Sequence, residues 1–508
     1  MGLLAKGPSW KLLAIGIAVC LGTNFHFGYQ IMVLNPSRAA VEAFVNASFC
    51  RQFGYEMSEQ GRANLWSFIL SLPNVGAICS LPLLPSIANG LGRKKGLYLT
   101  QLGFLLSAIP SVLAHYVDLF ELLCLGRFIN GACCGVSSGL VAMYLVEISP
   151  SPCRGFMSAI SGLCVETGLF VASVFGLPSV FGNSTHWPYL FIIDMLPAAV
   201  LLTVLAFLPE SPKFLLTRGR IKEARRVLEA YETDQQAIQK AMAEVAEELE
   251  IQSHAPTLAQ FLANRSIRPA TIVSVLICAL MSLNGINTID YFTTSLMVEA
   301  GMDPDLAAWL NLAITFASLL AGVAGMVLVD RLGRKPLLLG GNCVFFLANI
   351  AFLFVFMFND QAKAAGEVYP IAAYVFVAGS AIFMACFCIG PGPIQWFITA
   401  EMMPMQLKAH GSSVALFFIY FFAAIAGYAF LPLYTVVGSW VFLVFIVPLG
   451  LVTLLLYFLL PETKGRAVSE ILAELHRRNP CYGQLRLGDE GRPLLSKVFL
   501  SSLDTECE

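Results

Sequence analysis

Glu166 and Asp290 each lie inside a long apolar run of this 508-residue chain. An ionisable side chain facing hydrocarbon costs roughly 3 kcal/mol, so such a residue is expected to face a cavity or a partner. A carboxylate in that setting can accept hydrogen bonds from a polar solute, hold a proton or attract a cation. Ser282, Asn284, Asn287, Asp290, Asn311, Gln30 and His26 also fall within apolar runs, together with Trp396 and Tyr420. They supply amide and hydroxyl groups beside flat aromatic faces, which suits non-covalent recognition of a small polar solute. No His, Cys, Ser or Asp set recurs at catalytic spacing, and no Gly-x-x-x-x-Gly-Lys-Ser/Thr loop is present. Neither an enzyme nor an ATP-driven pump is indicated. His26 has no second histidine at ligand spacing, so no metal and no cofactor is expected.

The heights of these groups constrain their pairing. Glu166 lies about eleven residues into its run, about 16 Å from the cytoplasmic end and close to the bilayer midplane. Arg127 sits roughly 27 Å above the cytoplasmic end of its own run. A vertical gap of about 10 Å argues against a direct Glu166–Arg127 pair unless helix tilt narrows it. Asp290 stands nearer to the height of Arg127, so an outer-gate contact between those two is conceivable. Glu166 itself reads either as a substrate or proton group or as a neutral, hydrogen-bonded acid.

The elements that carry these residues are membrane helices. The chain is 57% hydrophobic and 13% charged, with a mean hydropathy of +0.73, well beyond a soluble domain. A net charge of −2 gives no sign of a nucleic-acid partner. Apolar runs long enough to span a bilayer fall near 12–34, 65–88, 96–115, 120–145, 155–181, 187–208, 270–296, 306–329, 336–358, 369–398, 411–435 and 438–460. The first has no cleavage site before it and reads as a retained helix. Arg93, Lys94, Lys95, Arg331, Arg334 and Lys335 fall on one side, which makes both termini cytoplasmic. The fourteen cysteines show no zinc-type spacing and read as small packing residues.

Between the sixth and seventh runs, 209–268 reads as short amphipathic helices. Ile221, Ala224, Val227, Leu228 and Tyr231 form one apolar stripe, and Ile238, Met242, Val245 and Leu249 another. The 35–64 loop is expected outside, with Asn46-Ala47-Ser48 as a glycosylation acceptor. Gly131, Gly135 and Gly139, four apart, indicate close helix contact. Pro391 and Pro393 beside Trp396 indicate a helix break that can act as a hinge.

Three polar patterns occur twice, with the copies 241 to 254 residues apart. Leu91-Gly92-Arg93-Lys94 returns as Leu332-Gly333-Arg334-Lys335, and Glu147-x-x-Pro150-x-x-x-Arg154 as Glu401-x-x-Pro404-x-x-x-Lys408. Pro209-Glu210-Ser211 returns as Pro461-Glu462-Thr463. The shared order implies two homologous halves, the layout of a transporter that rocks one half against the other. Carboxylates facing basic residues at these helix ends form a candidate cytoplasmic clip that breaks when that side opens.

The same residues resemble the sugar porter family of the major facilitator superfamily, and within it the animal facilitative hexose transporters. Gly126-Arg127, Gly390-Pro391-Gly392-Pro393-Ile394-Gln395-Trp396-Phe397, Phe27-Gly28-Tyr29 and Pro461-Glu462-Thr463-Lys464-Gly465 belong to that likeness. It implies a major facilitator fold of twelve transmembrane helices in two pseudo-symmetric six-helix halves plus a cytoplasmic helical linker, an all-α membrane protein. The implied activity is alternating access to a central sugar site. Gly285, Asn287, Asn311 and Trp396 match the family's pattern. Met281 and Ser282 replace its two helix 7 glutamines, Glu166 its helix 5 glutamine, Cys388 its helix 10 polar group, and Ile419 and Tyr420 an Asn-Trp pair. His26 stands where relatives carry glutamine. Gln30 replaces the carboxylate of proton-coupled members, which favours passive flow.

Three function classes follow: a uniporter for a hexose or related polyhydroxy solute, a proton-linked or cation-selective carrier using Glu166 and Asp290, and a non-transporting sensor. The expected divisions are 1–208, 209–268, 269–460 and a cytoplasmic tail 461–508. The expected setting is the plasma membrane, with a small solute and the lipid bilayer as partners. Nothing indicates an oligomeric state.

Overall fold

The computed structural model describes residues 10–149, 154–231, 238, 258–264, 267–365, 370–403, 407–464, 466 and 468–478. The N-terminal crossings are α1 (Trp10–Leu21) with α2 (Asn24–Met32), α4 (Glu59–Ser80) with α5 (Leu84–Gly90), α6 (Arg93–Val117), α7 (Phe120–Ile148), α8 (Arg154–Phe175) and α9 (Tyr189–Phe207). A helix outside the bundle, α3 (Arg38–Phe53), precedes α4. The linker contributes α10 (Pro212–Thr217), α11 (Ile221–Tyr231) and α12 (Leu258–Ala263). The C-terminal crossings are α13 (Arg268–Leu283) with α14 (Ile286–Glu299), α15 (Pro304–Leu332), α16 (Arg334–Ala364), α17 (Pro370–Ile389) with α18 (Pro391–Met402), α19 (Lys408–Val437) and α20 (Leu443–Leu459). A final helix, α21 (Val468–Arg478), packs beneath.

Ten spans are long and apolar enough to cross a membrane. One of them, His410–Leu459, holds both α19 and α20, and the apolar Ile160–Phe175 part of α8 is a shorter further crossing. The total is the expected twelve. Outward faces carry exposed apolar side chains, as in Leu99, Leu102, Leu106, Ile109 and Leu113 along α6. A stripe of that spacing is a surface for lipid rather than water.

Two crossings break near mid-membrane for different reasons. Between α13 and α14, Gly285 takes φ +96°, a left-handed conformation that penalises any Cβ. Asn284 then caps the second segment, its side-chain oxygen accepting from the Ile286 N–H at 2.9 Å. Between α17 and α18 the break falls at Gly390, where Pro391 and Pro393 supply no N–H groups to continue the ladder. The expected break beside Trp396 is therefore present.

Two outer and linker expectations change. The 35–64 segment is mostly helical, because Arg38–Phe53 forms α3, and Asn46 lies half-buried within it. In α11, Ala224 packs with Leu215, Leu216 and Val227, while Ile221 at the helix start is exposed. Met242, Val245 and Leu249 lie outside the described residues, as does the tail beyond residue 478.

The glycine stripe of α7 seats it on α4 and α5. A Cβ on Gly131 would fall 1.9 Å from the Pro73 carbonyl oxygen, one on Gly135 2.7 Å from the Ala77 oxygen, and one on Gly139 2.3 Å from Leu84. Because backbone opposes Gly131, it has no flexible neighbour to move aside. Gly131→Val is expected to destabilise by about 3 kcal/mol, the upper end of overpacking. Thermal unfolding in detergent should show a lower midpoint and reduced monodisperse yield; an unchanged midpoint would mean the two helices are free to part.

Candidate solute-binding site

A cavity lies between the halves. Its polar lining comes from Glu166 on α8, Ser282 on α13, Asn287 and Asp290 on α14, Cys388 on α17, and Gln395 with Trp396 on α18. Phe27, Ile31, Met384 and Phe387 are among its apolar walls. The helix breaks at Gly285 and Gly390 turn Asn287 and Trp396 into this space. Five of the ten expected solute residues thus share one chamber: Glu166, Ser282, Asn287, Asp290 and Trp396.

The two acids are nearly sealed from water. Glu166 is 7% exposed and Asp290 5%. Glu166 faces the Cys388 thiol across the lining, its Oε2 has no partner, and neither has Asp290 Oδ1. Ser282 donates to the Ile419 carbonyl at 2.9 Å, and Asn287 donates to the Ser282 carbonyl at 3.2 Å. Trp396 meets Phe27 edge-on, with ring centroids 5.8 Å apart.

The other five sit off the lining. His26 Nδ1 lies 2.8 Å from Asp194 Oδ1, and its ring stacks on Phe104 at 4.0 Å. Gln30 donates to Asp194 at 2.8 Å and accepts from Arg127 at 3.1 Å. Asn284 caps α14, as above, and its carbonyl accepts from Asn349 at 2.8 Å. Asn311 reaches Ser173 at 3.5 Å, and the Tyr420 hydroxyl lies 3.3 Å from that of Ser138.

Asp194 was not singled out by the sequence reading, although it organises the N-terminal half. It is 4% exposed and also accepts from Asn130 at 2.9 Å. A lone carboxylate in the apolar 189–207 run was the available signal. The conceivable Arg127–Asp290 contact does not form. Arg127 instead donates to the Ile69 carbonyl at 2.9 Å and to the Gln30 side chain and carbonyl. The amide of Asn35, just past the end of the first crossing, takes the place beside Asp290. It donates to the Asp290 carbonyl at 2.8 Å and accepts from the Thr294 N–H at 3.1 Å. Those two groups are the ends of one helical turn, so a single side chain ties the halves together.

Comparison with known proteins decides the family. A family model described as "Sugar (and other) transporter" matches residues 15–475. The chain belongs to that family. Among its relatives, solute carrier family 2, facilitated glucose transporter member 9 of Homo sapiens is 30% identical over 492 residues, covering 94% of this chain and 87% of the relative. Member 4 of Mus musculus is 33% identical over 477 residues, covering 92% and 91%. Among solved structures, the partially occluded inward-open xylose transporter XylE from E. coli superposes with TM-score 0.73 at 20% identity, covering 90% of this chain and 99% of that one. The proton:xylose symporter XylE bound to 6-bromo-6-deoxy-D-glucose gives 0.72 at 20% identity, covering 91% and 98%. The fold is that of the major facilitator superfamily. This chain is a multi-pass sugar transporter and not an enzyme.

In this sugar transporter the duplicated polar patterns form two matching clusters. Arg93 lies 2.8 Å from Glu147, Ser211 donates to Glu147, and Glu210 accepts from the Arg93 and Lys94 N–H groups at 3.1 and 3.0 Å. In the second half Arg334 lies 2.9 Å from Glu401, and Thr463 donates to Glu401 at 2.6 Å. Glu462 accepts from the Arg334 and Lys335 N–H groups at 2.9 and 3.0 Å. Gly92 and Gly333 both take φ +92°, and a Cβ there would meet Glu210 at 2.6 Å or Glu462 at 2.9 Å. Among the described side chains, each cluster closes within its own half. Arg154 and Lys408 begin α8 and α19, but their side chains lie outside the described residues.

Burial alone would raise the Glu462 acid, but the N–H groups of Arg334, Lys464, Lys335 and Thr463 outweigh it and hold the carboxyl below the usual range. Its stabilisation is therefore complete above about pH 4.3, the unfolded value, and fades as pH falls through the lower folded value. Glu462→Ala is expected to cost about 1–2 kcal/mol at pH 7, the scale of orphaned donors partly open to water. Melting at pH 7 and pH 4 should show a difference between variant and parent that shrinks in acid. An equal difference at both values would rule the carboxylate out as its source.

Proposed function

We propose that this protein is a facilitative uniporter for a hexose or a related polyhydroxy solute, working by alternating access. The solute would occupy the chamber bounded by Glu166, Ser282, Asn287, Asp290 and Trp396. Shared lining from both halves carries this reading, since a solute held there is released when the halves tilt apart on either side. Trp396 and Phe27 offer faces for a ring's C–H surface, and the acids and amides offer partners for its hydroxyls.

The remaining expected residues take supporting roles in this proposal. His26 and Gln30 hold the first crossing to Asp194 and Arg127, Asn284 shapes the break, and Asn311 and Tyr420 join the halves. Arg93, Glu147 and Glu210, with Arg334, Glu401 and Glu462, would keep each half rigid, and Arg154 and Lys408 would complete the cytoplasmic clip. Passive flow is favoured because the first crossing carries Gln30, a neutral amide already committed to Asp194 and Arg127. The halves would divide as 1–208 and 269–460, with both termini cytoplasmic at the plasma membrane and Asn46 glycosylated outside.

Proteoliposomes carrying the full chain should take up radiolabelled hexose until inside and outside concentrations are equal. An imposed proton gradient should not carry the level past that point. Accumulation beyond equality would replace uniport by coupled transport. Asn287→Ala should cut the initial rate about tenfold, the loss expected when one hydrogen bond to solute worth about 1.4 kcal/mol disappears.

A further inference from the structure

The chamber's chemistry is one-sided. Two carboxyl groups line it, and among the described residues no Lys, Arg or His does. Each acid is more than nine-tenths buried and keeps one oxygen without a hydrogen-bond partner, Glu166 Oε2 and Asp290 Oδ1. The donors around them are partly committed. Ser282 gives its proton to the Ile419 carbonyl and Asn287 gives one N–H to the Ser282 carbonyl. Arg127, the buried cation of the N-terminal half, points its donors at Gln30 and Ile69 and stays off the lining.

A neutral hexose fits such a site incompletely. Its hydroxyls can donate to the acids, but its own oxygens leave both carboxyl groups without a counter-charge and must rely on Asn287, Gln395 and the Trp396 indole N–H. An ammonium group has three donors and no acceptor, so it complements two acceptor-rich oxygens. It would also relieve the cost of holding carboxylates in a low-dielectric space without a counter-charge. Phe27, Phe387 and Trp396 add aromatic faces, which attract a desolvated cation.

We propose that the chamber is selective for polyhydroxy solutes bearing a protonated amine, the ammonium lying between Glu166 and Asp290 while the hydroxyls meet Asn287 and Gln395. The inference rests on the carrier reading above and names its substrate class. It places positive charge on the solute and not on a co-transported proton.

The test compares three solutes of similar size with the full chain in proteoliposomes: glucose, 2-amino-2-deoxyglucose and N-acetylglucosamine, whose amide removes the charge. The amine should enter with a kcat/KM about tenfold above glucose, the scale of one buried charge interaction, and the amide should not share that advantage. Glu166→Gln and Asp290→Asn should each pull the amine-to-glucose ratio towards one. Binding of the same three solutes to detergent-purified protein, read as a shift in melting temperature, covers a variant that fails to reconstitute. Equal kcat/KM for glucose and the amine in the parent protein would overturn the inference and leave the uniporter reading standing. Uphill accumulation of glucose under a proton gradient would assign the acids to protons and also overturn it. If neither glucose nor the amine moves or binds, the carrier reading fails first and this inference falls with it.

Discussion

A bilayer supplies no water to backbone groups, so an interrupted membrane helix must find its partners in protein atoms or in a cavity it lines. That constraint shapes the centre of this transporter. At the α13–α14 break, Asn284 caps the new helix and Asn349 occupies the Asn284 carbonyl. Asn287 bonds back across the gap to the Ser282 carbonyl. Three amides thus replace the helical bonds lost at Gly285. The α17–α18 break needs less repair, because two prolines remove donors instead of orphaning them. Without these repairs the chamber would lack two of its walls.

Buried charge is handled in two contrasting ways. Asp194 accepts from His26, Gln30 and Asn130, and Arg127 donates to Gln30 and Ile69. Gln30 links the two, making one continuous network inside the N-terminal half. Losing a member would leave a buried charge short of partners, a change that typically costs about 3–5 kcal/mol. Glu166 and Asp290 have no such network, although they are as deeply buried. The difference separates an acid tied into one half from two acids that line the chamber with an oxygen unpartnered.

Much of this architecture was legible in the sequence. Twelve crossings, the repeated helix-end patterns and the proline break follow from apolar run length, matched polar spacing and missing N–H groups. Glu166 was placed near mid-membrane by counting residues, and it lines the chamber. Which face of a helix a polar residue occupies was not legible. His26, Gln30 and Asn311 look as suited to a chamber as Asn287, but helix rotation turns them to Asp194 and Ser173. Asn284 and Asn287 stand three residues apart, yet the left-handed turn at Gly285 sends one to a cap and the other to the lining. The α3 helix was missed because its polar residues, read without the surrounding bundle, look like those of a loop. Ser48 is buried there, donating to the Asp118 carbonyl and accepting from the Phe120 N–H.

The distribution of bond strengths suits a machine of two rigid parts. Apart from the acid Glu166 facing the Cys388 thiol, the described hydrogen bonds joining the halves are neutral: Asn35 to Asp290 and Thr294, Asn74 to Tyr291, Ser138 to Tyr420, Asn311 to Ser173 and Met32, and Gln60 to Thr435. Each is worth about 1 kcal/mol net, so a handful can be exchanged for another set without a deep trap. The charged clusters around Glu147 and Glu401 lie within single halves, where multiple charge-assisted bonds resist distortion. Asn35 is the most informative of the joints. It grips a backbone turn instead of a side chain, so α14 is held by its frame while Asp290 keeps one carboxylate oxygen free. The joint and the chamber-lining Asp290 side chain therefore share one turn of α14.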